Sequence, residues 1–174
     1  MARLPYADLD QPDAKPLVER IVAERGHVLH LYQMLLHSPP LAEGWLGYLT
    51  AVRQKLTISG ALRELIIMRV ALLNGAPYEA FQHAPIALKD GVTQGQLDAL
   101  EQWEASPLFN ATERAVLKLT DAMTRDIHFA PEITAAVRDA LGERGTVETA
   151  ATIAAYNMVS RFLEALQISE TDPR

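Results

Sequence analysis

The chain has 174 residues, of which 49% are hydrophobic and 22% are charged, and its formal net charge at pH 7 is −6. This composition predicts one soluble globular domain, residues 1–174, and the negative charge argues against a nucleic-acid partner. No apolar run reaches the roughly 18 residues of a membrane-spanning helix. Residues 1–16 contain no hydrophobic segment typical of a secretory signal, so the sequence favours a cytoplasmic location.

The absence of cysteine restricts the possible chemistry further. Without thiols the chain forms no disulfide, binds no metal through thiolates and runs no thiol-based catalytic cycle. The sequence also lacks the glycine patterns of a dinucleotide site or a P-loop.

Glycine, proline and capping residues divide the first half of the chain into helices. Residues 13–25 form an amphipathic segment that Gly26 ends, and HVLHLYQMLLH has a second helical pattern. Ser38 followed by Pro39 predicts the start of a third helix. GALRELIIMRVALLN, which Gly75 ends, is apolar nearly all round and predicts a central helix.

The second half continues with helices only. Their predicted starts are Pro77, Thr93 with Gln96, Asn110 with Glu113, and Pro131, the two pairs being capping boxes. Gly142 is expected to end the helix that Pro131 begins, and TVETAATIAAYNMVSRFLEALQI predicts a long alanine-rich final helix. The sequence therefore predicts an all-α, single-domain bundle of about eight helices.

Glu79 and His83 are the first candidates for chemistry. They stand four residues apart, so their side chains share one helical face. A carboxylate beside an imidazole raises its proton affinity and orients the ring, as a general base requires. Tyr78 could donate a hydrogen bond to a substrate from the neighbouring edge. The same spacing is also typical of a solvated face, where the helix dipole favours a first-turn glutamate.

Two further groups have both a functional and a structural interpretation. Glu64 begins the most apolar helix, where an unpartnered carboxylate is costly; it either handles protons or pairs with Arg63 or Arg69. Asn157 and Arg161 lie four residues apart on the last helix. They either bind a substrate carboxylate or, through the arginine, form a salt bridge to another helix.

The other histidines do not form a metal-binding pattern. His27 and His30 are three residues apart, but no H-E-x-x-H motif accompanies them. His37 and His128 are likewise expected at the surface or at helix ends. The sequence predicts no metal site.

The segment RELIIMRVALLNGAPYEAFQHAPIALKDGVTQGQLDAL, residues 63–100, resembles the core of the carboxymuconolactone decarboxylase family, within the alkylhydroperoxidase D-like superfamily. LLHSPPLAEGWLGYLT, FNATERAVLKLTDAMT and YNMVSRFLEAL extend the resemblance more weakly over most of the chain. The resemblance implies an alkylhydroperoxidase D-like, all-α fold and assembly as a homo-oligomer, a dimer, trimer or hexamer. The long final helix and the apolar N-terminal hairpin favour self-association as well.

The resemblance also distinguishes between branches of the family. The peroxidase branch has a Cys-x-x-Cys whose cysteines would fall at Ala76 and Glu79, with its glutamate at Glu64 and its histidine at His83. A peroxide-reducing cycle needs a thiolate and a resolving thiol. Because this chain has neither, thiol peroxidase activity is excluded, and the resemblance is to the cysteine-free Glu/His branch, whose reaction needs no cofactor.

The function implied is a cofactor-independent decarboxylase that acts on a carboxylated lactone or related carbonyl acid. In this hypothesis His83 is the general acid/base, Glu79 orients and charges it, and Glu64 is a second proton-handling or ring-positioning group. Arg161, or in second place Arg69, would hold the substrate carboxylate. Two alternatives stay open: a cofactor-free lactone isomerase or hydrolase, and a non-catalytic binding or assembly protein on the same scaffold.

Overall fold

The computed structural model describes residues 1–173, so that Arg174, the last residue of the predicted domain, lies outside it. The described residues form eight α-helices, one 3₁₀ turn and no strand. The helices are α1 (Lys15–Arg25), α2 (His30–Leu35), α3 (Pro39–Gln54), α4 (Gly60–Asn74), α5 (Pro77–Lys89), α6 (Gln94–Ala99), α7 (Ala111–Arg125) and α8 (Pro131–Leu166), and the 3₁₀ turn is Leu100–Gln102. The all-α prediction is confirmed. No helix in this part of the chain is long and apolar enough to span a membrane.

Local signals set most of the helix ends. Both predicted capping boxes are present, Thr93 with Gln96 at α6 and Asn110 with Glu113 at α7. Gly75 ends α4 with φ at 61°, in the left-handed region that glycine enters without a steric cost. Because only two residues separate α4 from α5, the turn returns the chain at once and sets the two helices side by side.

The predicted stop at Gly142 is a kink inside α8. Gly142 has φ 71° and ψ −178°, which are not helical, while helical residues continue on both sides of it. The hydroxyl of Thr146 donates to the carbonyl oxygen of Gly142 across 2.8 Å, in the first turn after the kink. The second half of α8 continues beyond the kink and packs against α4.

Helix α4 lies at the centre of the bundle, as its all-round apolar sequence predicts. It packs against α5, α7 and α8, and Leu65, Ile66, Ile67 and Val70 are completely buried. Any polar side chain on this helix therefore has to find its partners inside the protein.

A buried carboxylate secures the beginning of α4. Glu148 on α8 accepts hydrogen bonds from the amide and the hydroxyl of Thr57, both at 2.7 Å, and from the amide of Ile58 at 3.1 Å. Arg144 donates to its other oxygen at 2.9 Å. Burial opposes the charged form, but these hydrogen bonds outweigh it and lower the pKa of Glu148 to about 2.

Candidate active site

His83 and Glu64 form a buried pair between α5 and α4. Nδ1 of His83 lies 2.7 Å from Oε2 of Glu64. The glutamate is completely buried and the histidine is 7% exposed. The rings of His83 and Tyr156 on α8 also make a T-shaped contact, with centroids 5.1 Å apart and planes at 89°. With Nδ1 occupied by Glu64, Nε2 is the nitrogen that can face a bound molecule.

This geometry corrects the predicted partner of His83. Glu79 shares a helical face with His83, but the carboxylate that contacts the imidazole is Glu64, which α4 brings in from the neighbouring helix. Oε2 of Glu79 instead meets Ser160 on α8. Glu64, and not Glu79, therefore orients the imidazole ring of His83.

The charges of the pair follow from its surroundings. Burial opposes ionisation of Glu64, but the hydrogen bond and charge of His83, together with Arg63, whose Nε is 3.1 Å from Oε1, outweigh it and lower the pKa of Glu64. Burial lowers the pKa of His83, and the Glu64 carboxylate opposes that shift only in part. A carboxylate can only accept, so Nδ1 carries the hydrogen and Nε2 of the neutral ring is a base.

Glu79 has the opposite electrostatic character. It is 2% exposed, and burial, together with the charge of Glu164, raises its pKa to about 8, although its hydrogen bond with Ser160 acts in the lowering direction. At neutral pH this carboxyl group is therefore protonated. Its second oxygen, Oε1, is buried and has no hydrogen-bond partner among the described residues.

The contacts of Ser160 support a protonated Glu79 on geometric grounds. The hydroxyl oxygen of Ser160 lies 3.0 Å from Oε2 of Glu79 and 2.9 Å from the carbonyl oxygen of Tyr156. A hydroxyl group has one hydrogen and both neighbours are ordinarily acceptors. If Ser160 donates to the carbonyl, a protonated Glu79 can donate to Ser160, and both contacts are satisfied.

These groups surround one small cavity of about 40 Å³, room for little more than one water molecule. The buried part of its wall includes Tyr78, Glu79, His83 and Tyr156, with leucine and valine side chains between them. The hydroxyl of Tyr156 is buried without a hydrogen-bond partner in this part of the chain, and burial raises its pKa. The cavity therefore brings together a base, a protonated acid and three phenols, those of Tyr32, Tyr78 and Tyr156.

Residues 39–122 match the carboxymuconolactone decarboxylase family. The matched segment is slightly less than half of the chain. The match extends from α3 into α7, so it contains Glu64, Glu79 and His83. No curated protein matches the chain in sequence.

Several solved structures share the fold of this chain. A cysteine-to-alanine variant of the debrominase Bmp8 in complex with 2,3,4-tribromopyrrole is 21% identical, with a TM-score of 0.81 over 97% of this chain and 93% of that one. An uncharacterized peroxidase-related protein from Ralstonia eutropha, described as an alkylhydroperoxidase AhpD core, is 17% identical, with a TM-score of 0.83 over 98% and 93%. One from a Silicibacter species is 18% identical, with a TM-score of 0.82 over 96% and 89%. At these identities the similarities establish the AhpD-like fold.

The fold places the predicted substrate-binding residues of α8 outside the cavity. Asn157 donates to the hydroxyl of Thr124 and accepts from Asn74, so it joins α8 to α7 and α4. Arg161 is exposed and does not line the cavity, because it follows Ser160 by one residue, about 100° further round the helix. Neither of these two predicted substrate-binding residues therefore lines the cavity that contains His83, whereas Tyr78 does.

Arg69, the second choice for that role, is a structural residue. Its Nε lies 2.6 Å from Oδ1 of Asp121 and a terminal nitrogen lies 2.7 Å from Oδ2, a bidentate pair between α4 and α7. A further terminal nitrogen donates to the carbonyl oxygens of Leu100 and Glu101. All three nitrogens of this guanidinium thus donate to groups of the fold.

Sequence reasoning missed Arg53, the cationic residue that does line the cavity. Leu29, Arg53 and Gln82 are its half-buried lining residues and form the rim towards solvent. Arg53 follows Leu49, another lining residue, by four positions on α3, so the two share a face. That spacing was a usable signal, but an arginine in the last turn of a helix is equally explained by the helix dipole.

The remaining histidines divide into two groups. His27, His37 and His128 are exposed, as expected, but His30 is buried and its ring stacks on Tyr6, with centroids 4.8 Å apart. The described residues include no group of three or more His, Asp or Glu arranged to hold a metal ion.

Proposed function

We propose that this protein is a cofactor-independent acid–base enzyme that decarboxylates a carboxylated lactone or a related carbonyl acid. The observation that carries the proposal is the buried Glu64–His83 pair, which faces the same cavity as a protonated Glu79. Groups whose surroundings push their pKa values apart are typical of an acid and a base that act together.

In the proposed reaction, the carbon–carbon bond to the carboxylate breaks and carbon dioxide leaves. The bonding electron pair moves into the conjugated carbonyl system and gives an enolate. Glu79, as a neutral acid, donates a hydrogen bond to the carbonyl oxygen while negative charge develops there. Its unpartnered Oε1 supports this role, since the proton can pass to it when Ser160 turns its own hydrogen towards Oε2.

His83 supplies the proton that the carbon needs. The anionic substrate adds negative charge beside the imidazole and so favours its protonated form, which Glu64 also stabilises. Nε2 then gives its proton to the substrate carbon, and water replaces it after the product leaves. One proton is consumed and one carbon dioxide released, so the step balances without a cofactor.

The substrate must open the cavity to enter, because about 40 Å³ is smaller than a lactone ring. Arg53 and Gln82 at the rim have long unbranched side chains that can turn outwards. The complex of the debrominase Bmp8 with tribromopyrrole supports the capacity of this fold for a five-membered ring.

The isomerase alternative has one observation in its favour. The unliganded His83 is a neutral base next to an acid, which suits removal of a proton from one carbon and its return to another. The other alternative, a non-catalytic binding or assembly protein, would leave His83 exposed with an ordinary pKa. It is disfavoured, because His83 is buried and its pKa is lowered.

The test is turnover of carboxylated lactones and oxo acids by the wild type, His83→Ala and His128→Ala. Carbon dioxide release and ring isomerisation are followed in parallel, and circular dichroism checks that each variant is folded. His128 is exposed and lies outside the cavity, so it is the matched control. His83→Ala should lose about 10²–10⁴-fold in turnover.

Two results would count against the proposal. Full turnover by His83→Ala on a verified substrate would remove the histidine from the mechanism. Isomerisation without carbon dioxide release would show that the protein is an isomerase and not a decarboxylase. Self-association stays a prediction, which a monomeric mass in sedimentation would contradict.

A further inference from the structure

Arg53 is unusual among the arginines of the interior. It is half-buried at the cavity rim, yet its guanidinium has no hydrogen bond or ion pair within the described residues. The other buried or half-buried arginines all donate to carboxylates, hydroxyls or carbonyl oxygens: Arg25, Arg63, Arg69 and Arg114. A guanidinium offers five donors in a planar fork, so Arg53 holds unused binding capacity at the entrance to the site.

The surroundings of Arg53 indicate what it would bind. Leu49, Val159 and Leu163 contribute apolar surface to the cavity wall. The ionised Glu64 is already paired with His83 and Arg63. The positive charge of Arg53 is felt within the cavity, where it acts on both His83 and Tyr156. A small organic acid, with one carboxylate attached to an apolar ring, matches this distribution of charge.

We propose that Arg53 is the recognition residue of the site and binds the carboxylate of a small ring acid at the cavity rim. Two parallel N–H···O bonds fix the carboxylate, and the ring is directed between Leu49 and Val159 towards His83. The inference rests on the proposed function for the location of the site, and it specifies which residue binds the carboxylate of the proposed substrate. Binding can be measured without turnover.

The probe is 2-furoate, a five-membered ring with one carboxylate, and its uncharged counterpart is methyl 2-furoate. Binding is measured calorimetrically on the wild type, Arg53→Ala, Arg53→Lys and Arg161→Ala. Arg161 is the matched control because it is an exposed arginine outside the cavity. The wild type and Arg161→Ala should bind furoate equally.

Arg53→Ala should bind furoate about 10–100-fold more weakly, the loss expected when hydrogen bonds to a charged group are removed. Arg53→Lys should fall between the two, since a lysine keeps the charge without the planar fork. The ester should bind weakly to every form. Equal furoate binding by Arg53→Ala and the wild type, equal binding of acid and ester, or no furoate binding by the wild type would each overturn the proposal.

Failure of this inference and failure of the proposed function give different results. If furoate binding depends on Arg53 but no substrate is turned over, Arg53 is confirmed as the recognition residue and the proposed reaction is wrong. If turnover depends on His83 but Arg53→Ala has the same KM as the wild type, the proposed reaction stands and the role of Arg53 in recognition is wrong.

Discussion

Two clusters of ionisable side chains that the bundle buries against the middle of α4 differ in whether their hydrogen bonds are complete. Between α4 and α7, Arg69 and Asp121 bind each other through two contacts, and Trp103 also donates to the carboxylate at 3.3 Å. Between α4, α5 and α8, Glu64 is fully paired, but the second oxygen of Glu79 and the hydroxyl of Tyr156 have no hydrogen-bond partner among the described residues.

Complete or incomplete hydrogen bonding distinguishes buried polar groups that stabilise the fold from those available to a ligand. A buried polar network whose members are all satisfied holds elements together and has nothing left to offer a ligand. Buried polar atoms without partners cost stability, so a protein that keeps several of them around one cavity is expected to use them. By this criterion we propose that the His83 cavity is the functional region and that the Arg69–Asp121 pair stabilises the fold.

The largest expected effect is on turnover, in the variant Glu64→Gln. An amide in place of the carboxylate cannot stabilise a protonated His83 by charge, so turnover of the verified substrate should fall about 10²-fold or more. Steady-state kinetics at pH 7 would measure it, with Arg63→Ala as a control for the neighbouring ion pair. Unchanged kcat in Glu64→Gln would show that Glu64 only fills space.

The variant Asp121→Asn should affect stability instead. It leaves the buried Arg69 without its counter-charge, which is expected to cost about 3–5 kcal/mol in the free energy of unfolding. Turnover per folded molecule should stay at the wild-type value. Urea titration and kinetics on the same sample would measure both, and a large loss of turnover at full folding would break the distinction between the two regions.

The two perturbed glutamates should give stability opposite dependences on pH. Folded Glu79 keeps its proton up to about 8, whereas the unfolded chain loses it near 4.5, so this residue lowers stability as pH rises through that window. Folded Glu148 ionises near 2, so its contribution is complete above 4.5 and is lost as pH falls towards 2. Unfolding curves of Glu79→Gln and Glu148→Gln across pH should differ from the wild type with these two signs.

Equal pH profiles of the wild type and Glu79→Gln between pH 5 and 8 would mean that Glu79 has an ordinary pKa. The same comparison below pH 4.5 tests Glu148, which is therefore an internal control for the method.

The smallest effect is expected for Arg161→Ala. An exposed side chain outside both regions should change the free energy of unfolding by about 0.5 kcal/mol at most and leave KM unchanged. A large rise in KM would restore the original assignment of Arg161 to the substrate carboxylate.

The sequence predicted the features that local chemistry decides. Capping boxes, proline starts and Gly75 depend on residues within one turn, and α4 could be placed at the centre because its apolar pattern has no solvent side. Glu64, Glu79 and His83 were all found as candidates, and each is buried around the site.

The pairings between helices could not be predicted from spacing. His83 contacts Glu64 and not Glu79 because the packing of α4 against α5 determines which carboxylate reaches the imidazole ring. Arg53 and Arg161 both lie near apolar residues, and only the assembled bundle shows which one lines a cavity. The burial of His30 likewise depends on Tyr6, 24 positions earlier, a contact that no helical period encodes.

The most direct test of the account is the protonation state of Glu79 in the folded protein. The infrared difference spectrum between the wild type and Glu79→Gln, recorded across pH, isolates the carboxyl stretch of this residue. The account predicts a protonated carboxyl band at pH 7 that disappears as pH rises through about 8. A band already lost near pH 4.5 would show an ionised Glu79 at neutral pH and would contradict the pairing of acid and base in this cavity.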